Sequence, residues 1–393
     1  MSPVSRGRKP KKSAKSKKSA KAVLRRYSAP VPKRPRWFDQ ATATAMARAD
    51  TLTAATSPRD LDNRTAELLG EQLHWALHEI RRDLRFGQWF TELGSAALGA
   101  SADTPSAALL FHGLRAMTSA DAAADAARDL PTTSCEGLPS WAAATGDYEA
   151  TGEVVKLRDA YGTRFGFVAS YRYPGGQDPH TYLFDVDTSF VAQLVGGGLY
   201  DDVDQAVAAW RAAVGAAADS AKAEAVTSFD GLQCLIGFSR DLMGDESREV
   251  MREWLRATDR LSRLTATFDT TDSPTHRADR DHAPMAAEFT DWHVTRFGAP
   301  PHPDGLDILA SEWVQGAEPE TRYAASPERL RTHAAVISDL YYPDDVRAAL
   351  GLMPTWSTWL AERAGLPDPL RADLLAAAEL AAVRTPLVED GQD

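Results

Sequence analysis

Apolar and polar residues alternate with a period of two from Phe165 through Gly166, Phe167, Val168, Ala169, Ser170, Tyr171 and Arg172 to Tyr173, while helical spacings dominate on both sides of that block. Alternation places successive side chains on opposite faces, so Phe165, Phe167, Ala169, Tyr171 and Tyr173 predict the buried face of a strand. Glu153 to Arg158 predicts a strand before it. Asp159-Ala160-Tyr161-Gly162 carries turn chemistry between the two, since Asp bonds its own backbone and Gly takes positive φ. Pro174-Gly175-Gly176 and Asp178-Pro179 reverse the chain again, and Thr181 to Asp187 and Phe190 to Val195 read as third and fourth strands. The connections are too short for helical crossovers, which makes the sheet an antiparallel meander. Gly196-Gly197-Gly198 is expected to end it as a turn, because a phosphate loop would need a Gly-Lys-Ser/Thr ending that is missing. Asp201 or Asp202 then caps a helix that presents Val203, Val207, Trp210 and Val214 on one face, suited to cover the sheet.

Helical periodicity fills the rest. Leu69, Leu73, Leu77, Ile80 and Leu84 recur at three or four residues within Leu61 to Leu84, and Trp89, Phe90 and Leu93 continue the apolar pattern as core. Shorter helices are expected at Thr104 to Thr118 and Ser119 to Leu130, with Pro131 to Gly152 as the link into the sheet. Ala216 to Asp230 reads as a spacer, and the apolar run Leu232 to Phe238 as a strand that could join the sheet. Asp245 is placed to cap a long helix with Val250, Trp254, Leu261 and Leu264 inward. Its Arg248, Arg252, Arg256, Arg260 and Arg263 are expected mostly outward, in a solvated face salt-bridged by Glu246, Glu249, Glu253 and Asp259. Helices follow at Met285 to Arg296, Gly305 to Gly316, Pro327 to Leu340 and Asp344 to Ala364, anchored by Trp292, Trp313, Trp356 and Trp359. The fold class is therefore α+β. A tail (1–37) precedes a helical N-terminal unit (38–145), a central antiparallel meander with its covering helix (146–240) and a helical C-terminal region (241–393).

Charge changes this picture at one end. Residues 1–36 hold 14 of the 44 Lys and Arg residues and no acid; the other 30 basic and 55 acidic residues leave −25 on the remainder, which with +14 gives the chain's −11. Arg6, Arg8, Lys9, Lys11, Lys12, Lys15, Lys17, Lys18, Lys21, Arg25 and Arg26 form a cationic arm with almost nothing to bury, expected to be disordered when free. Its Lys/Ser/Ala/Pro mixture resembles the tails of linker histones and of some bacterial nucleoid proteins, which implies contact with DNA or RNA through phosphates. The plainer alternatives are a solubilising tail and one that folds back onto the acidic body. No apolar run reaches the roughly 18 residues of a membrane span, and no apolar segment follows the basic start as a signal peptide requires. Two cysteines, Cys135 and Cys234, are too few for a disulfide framework and suit a reducing cytoplasm.

Candidate chemistry is sparse. Asp185 and Asp187, two apart on the third strand, share a face, and paired carboxylates at that spacing can hold a divalent cation in a hydrolase or nuclease. The competing view makes them the solvent face of the meander, with Asp187 opening a turn at Thr188-Ser189. Glu71, His74 and His78 share a helix face at metal-ligand spacings, but a second Glu-x-x-His is lacking and residues 74–78 read His-Trp-Ala-Leu-His, so half-buried histidines beside Trp75 are the alternative. His276, Asp279, Asp281 and His282 cluster in a polar loop that would lose entropy on holding a metal. No cofactor is expected. Leu360-Ala361-Glu362-Arg363-Ala364-Gly365-Leu366-Pro367 resembles the first helix and turn of a bacterial helix-turn-helix, but the pattern departs at Arg371, and Asp368 and Asp373 would face phosphates.

Arg158 to Phe165, the Tyr182 to Asp187 strand, the Asp201 to Arg211 helix start and the Trp359 to Pro367 segment together resemble an uncharacterised family of actinobacterial proteins with basic N-terminal tails. The resemblance spans most of the chain after Trp37, implies no activity and carries over no functional residue. The expected function is an accessory or regulatory one in which the arm tethers the acidic body to nucleic acid. The alternatives are a metal-dependent hydrolase or nuclease using Asp185 and Asp187, and a protein-interaction module with an acidic body whose partners the sequence leaves unknown.

Overall fold

The computed structural model describes residues 34–80, 86–117, 138–176, 178–236, 247–269, 281–315 and 317–383. Four strands, β1 Glu149–Arg158, β2 Arg164–Arg172, β3 His180–Asp187 and β4 Gln193–Tyr200, pair antiparallel in chain order, and a two-residue β5, Glu224–Ala225, adds to the outer edge of β1. The fold is α+β, as the alternation implied. The inward face carries Phe165, Phe167, Ala169, Tyr171 and Tyr173, all buried in one core with Tyr182, Phe184 and Val186 of β3. The opposite face is covered too. Helix α5, Val203–Val214, is capped by Asp202, whose carboxylate accepts the Gln205 N–H at 2.8 Å, and lays Trp210 over Val168 and Leu183. Gly166 makes this possible, because a Cβ there would come within 2.9 Å of the Trp210 ring.

The fourth strand departs from expectation. It starts at Gln193 and runs through Gly196, Gly197 and Gly198, which the sequence had marked as the end of the sheet. The space side chains would take there is occupied: a Cβ on Gly197 would meet the Leu183 carbonyl and the Tyr182 hydroxyl, each at 2.9 Å, and one on Gly196 would meet Asp185 Oδ2 at 3.2 Å. Glycine thus lets β3 keep Tyr182 and Asp185 beside a neighbouring strand. The run Leu232 to Phe238 supplies no strand over its described part, which forms a 3-10 turn Phe229–Leu232 and a short helix α6, Gln233–Ile236, under the sheet.

Ahead of the sheet, α1 Trp37–Arg48, α2 Pro58–Ile80, α3 Phe86–Ala100 and α4 Pro105–Arg115 enclose a core that includes Trp89, Phe90 and Leu93. The expected helix Ser119 to Leu130 lies outside the described residues. Helix α7, Arg248–Thr265, is capped by Ser247, which accepts the Val250 N–H at 3.3 Å; Asp245 lies outside the described residues. It contributes Val250 and Met251 to the N-terminal core and Ala257 and Leu264 to the core under the sheet, so it is sandwiched between them. The expectation of a solvated basic face fails at Arg256 and Arg260, which are 2% and 0% exposed, while Arg248 is exposed and Arg252 and Arg263 are partly exposed, ion-paired to Glu253 and Asp259. The C-terminal helices are α8 Ala283–Phe297, α9 Pro303–Val314, α10 Pro327–Leu340, α11 Pro343–Gly351, α12 Met353–Ala364 and α13 Asp368–Val383. Asp344 to Ala364 is thus two helices, with Pro354 in the first turn of the second, where its missing N–H costs nothing. Trp313, Trp356 and Trp359 are buried in this unit, while Trp292 is partly buried and donates to Glu362 at 2.9 Å.

Candidate functional site

Asp185 is buried beneath β4 rather than lying on a solvent face, and it is paired. Arg164 of β2 donates to it through Nε at 2.9 Å and Nη2 at 2.7 Å, a two-point fork that occupies both oxygens. Asp187, half-buried, opens the expected turn by accepting the Ser189 N–H at 2.7 Å. Burial pushes the Asp187 carboxyl up, against the pull of the Ser189 N–H. The two carboxylates therefore do different local work, and neither is turned toward a shared cation. Beyond Asp187 the strand end meets the C-terminal unit: Ser189 Oγ lies 3.3 Å from Ser326 Oγ, and the Phe190 ring lies edge-on to His333 at 5.7 Å. Arg329, one helical turn before His333, is 1% exposed and donates to the carbonyls of Thr321 and Trp313, at 2.5 and 2.6 Å. Those carbonyls end a 3-10 turn and α9, whose dipoles present negative charge. Burial still pulls the guanidinium down to about 9, with Asp187 opposing.

The other metal candidates are dispersed. Glu71 accepts a hydrogen bond from Arg48, which holds its carboxyl below the usual range, and His74 is half-buried beside Trp75. The His78 side chain, His276 and Asp279 lie outside the described residues. Asp281 accepts the Ala283 N–H at 3.0 Å and His282 pairs with Asp307 at 2.8 Å, both at the start of α8. Among the described residues no three His, Cys, Asp or Glu side chains gather as a metal-holding group.

Two arrangements were not legible in the sequence. One is the polar seam between α2, α7 and the sheet. Arg260 pairs with Asp62, both 0% exposed, and lies over the rings of Tyr148 at 4.6 Å and Tyr182 at 5.0 Å. Arg256 donates to Glu253 at 2.8 Å and to Asn63 at 2.5 Å, and Tyr182 donates to Glu253 at 3.0 Å. Burial alone would raise the Glu253 carboxyl, but Arg256 beside it reverses the direction and holds it low. Arg263 lies 4.0 Å over Tyr148 and donates to the Gly146 carbonyl at 2.9 Å. Tyr171 donates to the Arg260 carbonyl at 2.9 Å, so Tyr171 and Tyr182 of the sheet both find their acceptors on α7.

The second arrangement is a cleft of about 420 Å³ where the β1–β2 turn meets the C-terminal helices. Tyr161 plugs the turn into that unit: its hydroxyl donates to the Leu370 carbonyl at 3.2 Å, and its carbonyl accepts the Ala325 N–H at 3.1 Å. On the other side the Ala160 N–H reaches the Ala217 carbonyl at 2.8 Å. Asp159 forms the turn by accepting the N–H groups of Thr163 and Arg164 at 2.9 and 3.0 Å, while burial pushes its carboxyl up to about 6 against those hydrogen bonds. Arg158 and Arg363, from opposite walls, line the opening. They are 205 positions apart, and no local pattern announces that they line one cleft.

The segment resembling a helix-turn-helix does form two helices, α12 and α13, joined through Gly365 in the left-handed region at φ 62°. Helix α13 buries Leu370, Leu374, Ala377, Ala378 and Ala381 and leaves Asp368, Asp373 and Glu379 exposed together with Leu380 and Val383, so the fully exposed charges on its outer face are acidic. The arm residues Arg6 to Arg26 lie outside the described residues. At the arm's root, Arg34 bonds Glu92 at 2.6 Å and Asp39 at 2.7 Å, and Trp37 and Phe38 are buried. Among the described residues no helix is long and apolar enough to cross a membrane. No family model, curated protein or solved structure matches the chain.

Proposed function

We propose that this protein is an accessory or regulatory factor of the cytoplasm whose cationic arm tethers an acidic body to DNA or RNA with little sequence preference. The observation that carries the reading is the division of charge, +14 on residues 1–36 and −25 on the remainder. Lysines and arginines spread along an unpatterned segment neutralise phosphates and release counterions without reading bases. The root geometry supports it: Arg34, Trp37 and Phe38 are engaged by the body, so the basic residues ahead of them are joined to a fixed point. The exposed acids of α13 also disfavour that helix as the nucleic-acid surface, because Asp368, Asp373 and Glu379 would repel phosphate.

The test is retention of duplex DNA and of RNA by the full chain and by a chain lacking residues 1–33, a cut that keeps the Arg34–Glu92 bond. The reading expects retention of unrelated sequences by the full chain and its loss on truncation. Equal retention by both chains would overturn it.

A further inference from the structure

We propose that the cleft between the β1–β2 turn and the end of α12 binds a small anion of the carboxylate or phosphate-monoester kind, clamped between the guanidinium groups of Arg158 and Arg363. A space of about 420 Å³ falls within the range of small-molecule sites, and such sites favour junctions between units. Both arginines keep N–H groups to offer. Among the described residues Arg158 makes one hydrogen bond, from Nη2 to the Glu320 carbonyl at 3.0 Å, and Arg363 makes one, from Nη1 to Glu288 at 2.6 Å. Guanidinium forks match the paired oxygens of carboxylate and phosphate, whereas a single acceptor leaves most of the fork unused.

The acids on the cleft walls are already committed. Glu320 Oε1 accepts from Lys156 Nζ at 2.7 Å and from the buried Cys234 thiol at 3.0 Å, so its charge is neutralised from behind. Asp159 turns an oxygen onto two backbone N–H groups. What remains for a ligand is the set of guanidinium N–H groups that no described residue takes up, with the Arg363 charge itself balanced by Glu288. The forks are also held in place. Arg158 lies against Gly162, where φ is 76° and a Cβ would collide with the guanidinium, so the turn glycine is required twice over. Arg363 lies 3.8 Å over the Tyr323 ring. The Tyr161 hydrogen bonds to Ala325 and Leu370 fix the two walls relative to one another, so little ordering is left for the ligand to impose.

Isothermal titration of the full-length protein with inorganic phosphate and, separately, with succinate tests this, using R158Q and R363Q alongside the parent. Saturable binding of at least one of the two anions is expected, at one per chain, and each substitution should weaken it at least about tenfold, the worth of one lost charge-assisted contact. Preference for phosphate or for succinate separates the two anion classes. R158K and R363K keep the charge without the fork and should fall between parent and glutamine variants. Anions gathered by the basic arm are unaffected by any of these changes, and retention of nucleic acid should be too, which separates this proposal from the tether. If R158Q proves misfolded by circular dichroism, R363Q carries the test, since Arg363 and its partner Glu288 are both substantially exposed. Unchanged affinity in the folded glutamine variants, or failure of both anions to saturate, would overturn the proposal.

Discussion

Replacing Arg260 with Met leaves Asp62 at 0% exposure with Arg256 Nη1, at 3.8 Å, as its remaining cation. Breaking a buried pair from one side costs about 3–5 kcal/mol, because the abandoned charge has no water to turn to. The lost position over the Tyr148 and Tyr182 rings belongs to the same cost. Asp62→Leu should cost a similar amount by stranding Arg260. The double variant removes both charges and replaces them with apolar groups of comparable bulk, and for such replacements the net effect is often neutral or favourable. The coupling between the two sites should therefore reach about 3 kcal/mol or more, far beyond what independent sites show. A chain with several cores is a poor two-state system, so the appropriate assay is hydrogen exchange of the α2 and α7 amides, which reads opening free energy locally. Losses under about 1 kcal/mol for both single variants, the value of exposed ion pairs, would mean that this face of α7 is solvated and the seam is not a packed junction.

Three further outcomes follow from the sheet and its β1–β2 turn. Because burial raises the Asp159 carboxyl to about 6, above its unfolded value, the folded state binds the extra proton between the two values, so this group makes the protein less stable as pH rises from about 4 to 6. Asp159→Asn should remove that slope, and the opening free energy of its β1 and β2 amides by hydrogen exchange, relative to the parent, should rise between pH 4 and 7; a constant difference would refute the assignment. For the pair on β3, Asp185→Asn should cost about 2 kcal/mol, since it breaks a fork to an arginine that is itself partly exposed, whereas a solvent-facing carboxylate would cost about 0.5 kcal/mol or less. Melting with Mg²⁺, Mn²⁺ or chelator should leave the parent's midpoint unmoved, and a rise of several degrees with metal would restore the hydrolase reading.

What the sequence disclosed was what repeats along one element. Alternation over Phe165 to Tyr173 located the sheet and its buried face, and the Val203, Val207, Trp210, Val214 stripe located its cover, because each depends on spacing alone. The arginines of α7 were misjudged for the complementary reason. A charged face at helical spacing looks the same whether water or a second layer lies against it, and the layer comes from α2, where Gly70 lets the two backbones approach. A hint was present in the tyrosines on the inner face, Tyr171 and Tyr182, whose hydroxyls need buried acceptors. Gly196 to Gly198 misled because glycine usually breaks strands, and only the bulk of Tyr182 and Asp185 on the neighbouring strand explains it. The two-residue β5 has no periodicity to find, and the Arg158–Arg363 cleft joins elements that only the tertiary fold brings together.

The tether itself is tested most directly by the salt dependence of duplex binding. If about six lysines or arginines of the arm contact phosphates, log K for the full chain should fall against log salt with a slope of roughly −5, equal for unrelated sequences, and the chain beginning at Arg34 should show no measurable binding. A slope near zero, or a truncated chain that retains the full chain's affinity and slope, would contradict the account.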